Sequence, residues 1–247
     1  MPVFLFPDVD IAGHAMLSGL IDAIDGELRT VAVDLPGFGL STRLPRSGPL
    51  HTVSDMAERV APLIEERAGG PVIVAGVGLG AEVAAELAVT RPELVAGVLL
   101  VDVDLYGSSG WVETFEKLPF LGTAVTYAWE VSGPFSGSAA DPYCDDGGYC
   151  VSEAHLAARD LISGISLTTE SLQGFRSTPR AANVPSLLGD IAAPTVVVWS
   201  EKGPVERDSI DRVVEAIPDA TLQTYDVFQA IHESTEQLAR ILIDLAS

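Results

Sequence analysis

Short apolar runs without polar alternation recur along this chain, and each is separated from the next by a longer stretch with helical spacing. Val3–Phe6, Pro71–Ala75, Val95–Val101 and Thr195–Trp199 are runs of this kind, and Thr30–Val33 and Thr221–Tyr225 are more polar strand candidates. A strand that is apolar at every position must be covered on both faces, which is the signature of a parallel sheet between two helical layers. The intervening segments supply those helices: His14–Ile24, Thr52–Ala68, Leu79–Thr90, Val205–Ile217 and Thr235–Leu245 carry apolar residues at helical intervals. Pro62 falls inside the second of them and is expected to kink or interrupt it, because proline lacks an amide proton and crowds the preceding turn. The fold class is therefore α/β, with a mainly parallel, doubly wound sheet.

Composition narrows the function. Fourteen Lys and Arg stand against 35 Asp and Glu, a net charge of −21, so a polyanion is repelled and neither nucleic acid nor an anionic membrane is expected as a partner. No run of 18 apolar residues is present, so nothing is expected to span a bilayer. Met1-Pro-Val-Phe-Leu-Phe6 is too short for a signal-peptide core and has no basic lead-in, which makes the cytoplasm the expected location. Cys144 and Cys150 flank a Gly147-Gly148 turn. Free thiols, a local disulfide and metal ligation with Asp145, Asp146 or His155 are all open there; without a second Cys/His pair at zinc-like spacing the loop is read as structural. Oligomeric state leaves no mark in the sequence.

Between about Leu105 and Asp190 the strand–helix rhythm breaks, and this stretch holds 10 of the 16 aromatic residues. An aromatic-rich insertion after a sheet strand is expected to form a lid over an apolar pocket, with Trp111, Tyr127 and Trp129 as candidate wall residues. The alternative is that these rings pack the lid's own small core.

Several marks, in order, give the chain its resemblance. They are Val31-Ala-Val-Asp-Leu-Pro-Gly-Phe-Gly-Leu-Ser41, Val72-Ile-Val-Ala-Gly-Val-Gly-Leu-Gly80 leading into Ala81–Pro92, Val98-Leu-Leu-Val-Asp102, Pro194–Trp199, Ile217-Pro-Asp-Ala220, and His232 ahead of the last helix. In these the chain resembles an α/β-hydrolase. The resemblance implies an α/β-hydrolase core over residues 1–104 and 191–247, an inserted cap over 105–190, and a sheet that lacks the family's N-terminal hairpin. The Pro36-Gly37-Phe38-Gly39 turn and Asp34 are expected to brace the pocket floor.

The resemblance also implies that the catalytic triad is degenerate. The family's G-x-S-x-G elbow presents a nucleophile on a strained strand-to-helix turn. Here the five residues are Gly76-Val-Gly-Leu-Gly80, so Gly78 stands where the nucleophile would be. The family's acid position falls on Gly203 in Ser200-Glu-Lys-Gly-Pro204. The general-base position keeps its histidine, His232, for which Asp104 is a candidate orienting acid, with Glu201 and Glu233 as weaker ones. The His-Gly oxyanion loop corresponds to Phe6-Pro7 followed by Asp8, so the two backbone donors of an oxyanion hole are those of Asp8 and Leu79. If Asp8 points inward, its carboxylate opposes a developing oxyanion and is available as an acid or base. His14 is a further residue that could face the pocket.

Nothing here fits a nucleotide: the glycines lack dinucleotide spacing and no P-loop lysine follows. No motif calls for a cofactor. The favoured expectation is a cofactor-independent, non-hydrolytic cyclase, isomerase or lyase acting on a small apolar, polyketide-like metabolite, with His232, Asp8 and Asp104 as catalytic candidates. Phe6, Gly78, Leu79 and the three lid aromatics are the candidates to contact that substrate. The alternatives are a ligand-binding protein that lost its chemistry, and an esterase-type hydrolase with a nucleophile relocated to Ser41, Ser200 or Ser234.

Overall fold

The structure, a computed structural model, describes residues 1–8, 13–42, 52–106 and 184–247. Six strands form one sheet: β1 (Val3–Phe6), β2 (Thr30–Ala32), β3 (Val72–Val77), β4 (Val95–Val101), β5 (Thr195–Ser200) and β6 (Ala220–Tyr225). Their order is β2-β1-β3-β4-β5-β6 and every pairing is parallel. The helices are α1 (Ser18–Ile24), α2 (Val53–Ala68), α3 (Leu79–Thr90), α4 (Val184–Leu187), α5 (Arg207–Ala216), α6 (Ala230–Glu233) and α7 (Thr235–Ala246).

The apolar runs are buried on both faces, as their lack of alternation requires. Phe4, Phe6, Val72, Val74, Val98, Leu100, Val197 and Trp199 face one layer, where α2, α3 and α5 supply Met56, Val83 and Ile210. Their neighbours Val3, Leu5, Ile73, Ala75, Leu99, Val101 and Val198 face the other, against Leu20 and Ile24 of α1 and Leu238 and Leu242 of α7. The edge strands β2 and β6 are only partly buried, which is why their sequences are more polar.

Three expectations need correction. The helix read over His14–Ile24 is two pieces, a 3-10 turn over Gly13–Leu17 and then α1. Gly13 opens the 3-10 turn at φ +54°, with Asp34 so near that no side chain fits. Pro62 does not interrupt α2, which runs unbroken for 16 residues from its Thr52 cap. Both Pro62 and Glu58, whose carbonyl loses its helical partner, lie on the exposed side, where water can replace the missing bond. Lastly, α5 starts at Arg207, two residues after the expected start, once the turn following Pro204 has been made.

Parallel pairing puts the carboxyl ends of all six strands along one edge. The chain leaves β1 toward β2 on one side and returns to β3 on the other, so the crevice between β1 and β3 is the switch point where such sheets bind ligands. The expected cap at 105–190 lies outside the described residues apart from its two ends, and with it Trp111, Tyr127, Trp129, Cys144 and Cys150.

Candidate active site

Four positions stand at or just past the ends of four adjacent strands: Asp8 after β1, Gly78 after β3, Asp102 after β4 and Ser200 at the end of β5. Gly78 caps α3 with φ +51° and ψ −116°, the strained geometry of a strand-to-helix elbow, and a residue without a side chain holds it cheaply. Its N–H donates to Val101 O at 3.0 Å, which pins the elbow beside the end of β4. Two residues on, a Cβ at Gly80 would lie 2.2 Å from Phe6 O. Glycine there lets the first turn of α3 rest on the end of β1, and the chain leaving β1 passes over the elbow.

That passage brings Asp8 inward. A Cβ on Gly78 would stand 2.3 Å from the Asp8 carboxyl carbon and 2.3 and 2.4 Å from its two oxygens. The carboxylate therefore fills the space into which an elbow side chain would project. It also takes the Leu79 N–H, which donates to Asp8 Oδ1 at 2.8 Å. The other backbone donor, Asp8 N–H, is directed at Met16 Sδ, 3.2 Å away. Both amides expected to make an oxyanion hole are thus engaged within the protein.

Asp102 is the residue that sequence reasoning missed. It is 9% exposed and adopts φ +49°, the one non-glycine positive φ among the described residues. Ser200 donates to it twice, from its backbone N–H to Oδ1 at 2.7 Å and from its hydroxyl to Oδ2 at 2.6 Å. Burial is the main influence on its acidity and pushes the carboxyl up to about 6; the Ser200 hydrogen bonds oppose this, and the nearby Asp8 charge adds to it. An aspartate ending an apolar strand was the available signal, but its partner is 98 residues away.

His232 lies on α6, whose first residue, Ala230, donates its N–H to Ser200 Oγ at 2.8 Å. Asp104 accepts from Ser209 Oγ of α5 at 2.8 Å, so it ties the exit from β4 to that helix. Beside it the Arg212 guanidinium covers the Tyr106 ring at 3.6 Å. Phe6 is fully buried in the α2/α3 layer, and Leu79 is likewise buried and meets the site through its backbone. His14 is paired with Asp34, its Nδ1 lying 3.1 Å from each carboxylate oxygen. Asp34 also receives the His14 and Leu40 backbone N–H groups, which ties the ends of the turn together.

The serines considered as relocated nucleophiles are buried or hydrogen-bonded within the protein. Ser200 is fully buried as the last residue of β5, Ser234 is 3% exposed between α6 and α7, and the Ser41 hydroxyl donates to Asp34 O at 2.6 Å. At the expected acid position, a Cβ on Gly203 would lie 2.8 Å from Phe228 O, so that turn is packed too closely for a larger residue without a shift.

A model of the α/β-hydrolase family matches residues 12–234, a span that takes in the elbow, β4, β5 and His232. The chain belongs to the α/β-hydrolase family. Among solved α/β-hydrolase-fold neighbours, a hydrolase from Pseudomonas aeruginosa PA01 superposes with a TM-score of 0.77 at 17% identity, covering 100% of this chain and 89% of that one. The enol-lactonase from Burkholderia xenovorans LB400 gives 0.75 at 16% identity, covering 99% and 90%. Identities this low establish the fold alone. Lipase LipV of Mycobacterium tuberculosis is 37% identical over 76 residues, 31% of this chain and 28% of the lipase. Protein NDRG4-A of Xenopus laevis is 32% identical over 82 residues, 33% and 21% respectively. The matches to these two span about a quarter of the relatives' own length.

Proposed function

We propose that this α/β-hydrolase family member is a cofactor-independent, non-hydrolytic enzyme, a cyclase, isomerase or lyase, that moves protons on a small apolar, polyketide-like metabolite. The observation that carries this reading is the Asp8 carboxylate standing in the nucleophile's space with the Leu79 N–H as its donor. Acyl transfer in this fold needs a nucleophile on the elbow and two free amides for the oxyanion; here the elbow is glycine and both amides are engaged. A negative charge developing at that point would also meet Asp8, whose repulsion in a desolvated site is far larger than in water. A carboxylate and an imidazole, by contrast, are the groups that take a proton from one atom and return it to another. His232 and Asp8 are the proposed acid–base pair. The substrate-contact role read from the sequence for Trp111, Tyr127 and Trp129 is part of this proposal.

The same carboxylate favours a second reading, a ligand-binding protein whose reactive centre is filled by its own side chain. A metabolite profile of cells carrying the wild type, a deletion and His232→Ala separates the two. A compound that accumulates on deletion, and that pure protein but not His232→Ala converts, supports the enzyme. No mass change on conversion means an isomerase or cyclase, and loss of a fragment means a lyase. An unchanged profile with ligand still bound moves the conclusion to the binding protein. Covalent labelling by a serine-directed fluorophosphonate together with ester turnover would sink both.

A further inference from the structure

We propose that Asp102 is the positioning residue for His232, acting through Ser200. The inference rests on the reading of His232 as the acid–base group, and it concerns what holds that group once Gly203 has replaced the family's acid.

The three amides at the start of the His232 segment are all fixed. Phe228 and Gln229 N–H donate to Glu233 Oε1 at 2.9 and 3.0 Å, a local clasp that shapes the turn and leaves its direction open. Ala230 N–H donates to Ser200 Oγ at 2.8 Å, a buried bond reaching 30 residues back to the sheet. That bond decides where α6 points, and His232 is two residues further along a four-residue helix. A hydroxyl offers Ala230 a lone pair only if its own proton goes elsewhere. Here the proton goes to Asp102 Oδ2 at 2.6 Å, while the Ser200 backbone N–H on Oδ1 locks the carboxylate's orientation. Ionised Asp102 therefore polarises the Ser200 hydroxyl so that it accepts from Ala230. Protonated at Oδ2, Asp102 becomes a donor toward the same hydroxyl, whose own proton loses its acceptor and must turn, which disturbs the bond from Ala230.

The ionisable groups on the elements that meet here are Asp8 after β1, Asp104 after β4, Glu201 after β5, and His232 and Glu233 on α6. Glu233 is taken up by its own turn and Asp104 accepts from Ser209. Asp8 is the one whose charge raises Asp102.

The test is a pH titration from 5 to 7.5 of the full-length, 15N-labelled protein, following the Ala230 amide and the His232 ring, with the ring assigned by His232→Gln. In the wild type the Ala230 amide is expected to shift with an inflection near 6, the Asp102 value. Asp102→Asn is expected to abolish that inflection. Ser200→Ala is expected to remove the Ala230 inflection while leaving Asp102 ionisable, and Ser200→Cys to restore it in part. A wild-type Ala230 amide that stays flat across this range overturns the proposal, and needs no variant to fold. So does a folded Ser200→Ala protein whose Ala230 and His232 signals match the wild type. If His232→Ala keeps converting the metabolite, the proton-transfer reading fails and the Ala230 titration still decides the relay.

Discussion

At the residue scale, the site turns on two positions that exchange roles. The Asp8 carboxylate fills the space beside Gly78, so a serine cannot be placed there without a shift. Gly78→Ser is expected to destabilise the fold by about 1–3 kcal/mol, because the new Cβ meets the Asp8 carboxylate at a backbone conformation that L-residues resist. Adding Asp8→Ala should return part of that loss by clearing the space, although it leaves the Leu79 N–H without its acceptor. Urea melts of the single and double variants decide this; equal stability for the two would mean that Asp8 does not occupy the elbow. Asp102 supplies a second test. Its folded pKa of about 6 lies above the ordinary aspartate value of 3.8, so between these values the folded state holds the proton more tightly. Its contribution is present at low pH and is lost as pH rises through about 6. From pH 5 to 7.5 this one group should cost about 1 kcal/mol of stability. Asp102→Asn should remove that slope, and identical slopes for wild type and variant would show that Asp102 titrates normally.

At the scale of elements, the parts read best were those bounded by strong local punctuation. α3 and β4 have the bounds that the sequence predicts, because the Gly78-Leu79-Gly80 elbow and Arg91-Pro92 mark the ends of α3 and the η-turn Pro92–Leu94 leads into β4. The 3-10 turn at Gly13–Leu17 is not legible, since the Asp34 carboxylate that accepts the His14 N–H comes from 20 residues away. α6 escaped notice because four residues are too few to show a helical period. Pro62 marks where local propensity lost to packing: α2 buries Met56, Ala57, Val60, Ala61 and Ile64, which together outweigh one missing bond on the wet face. Pro62→Ala should therefore stabilise the protein by about 1–2 kcal/mol, by restoring the bond to Glu58 and removing the ring's crowding. A thermal melt that falls instead would show the proline is needed to shape the helix.

Over the whole molecule, 35 acidic and 14 basic residues give a charge of −21 that opposes compaction everywhere at once. Apart from His14 with Asp34, the described ion pairs are surface contacts such as Arg91 with Glu65 and Arg207 with Asp211, which offset little of it. Raising sodium chloride from 10 mM to 0.5 M should lift the melting temperature by about 2–4 °C, as screening recovers on the order of 1 kcal/mol. A flat or falling melting temperature would mean the excess charge is already balanced in the native arrangement. Among the described residues, no helix is long and apolar enough to cross a membrane.

The sequence by itself determined the architecture, because its information is periodic and local. Runs apolar on both faces demand two covering layers, glycines at 76, 78 and 80 demand a close turn, and their order along the chain dictates a parallel sheet with its loops at one edge. It also places a glycine at residue 78, at the start of α3. What fills the space beside Gly78 is a matter of tertiary structure. Asp8 reaches Leu79 across 71 residues, Asp102 reaches Ser200 across 98, and Ser200 reaches Ala230 across 30. Each contact depends on the rotamer of a short polar side chain and on the stacking of strand ends, and neither is written in the spacing of any local motif. Asp8 was legible as a candidate but not its direction, and Asp102 looked like the end of a strand until the sheet set β4 beside β5.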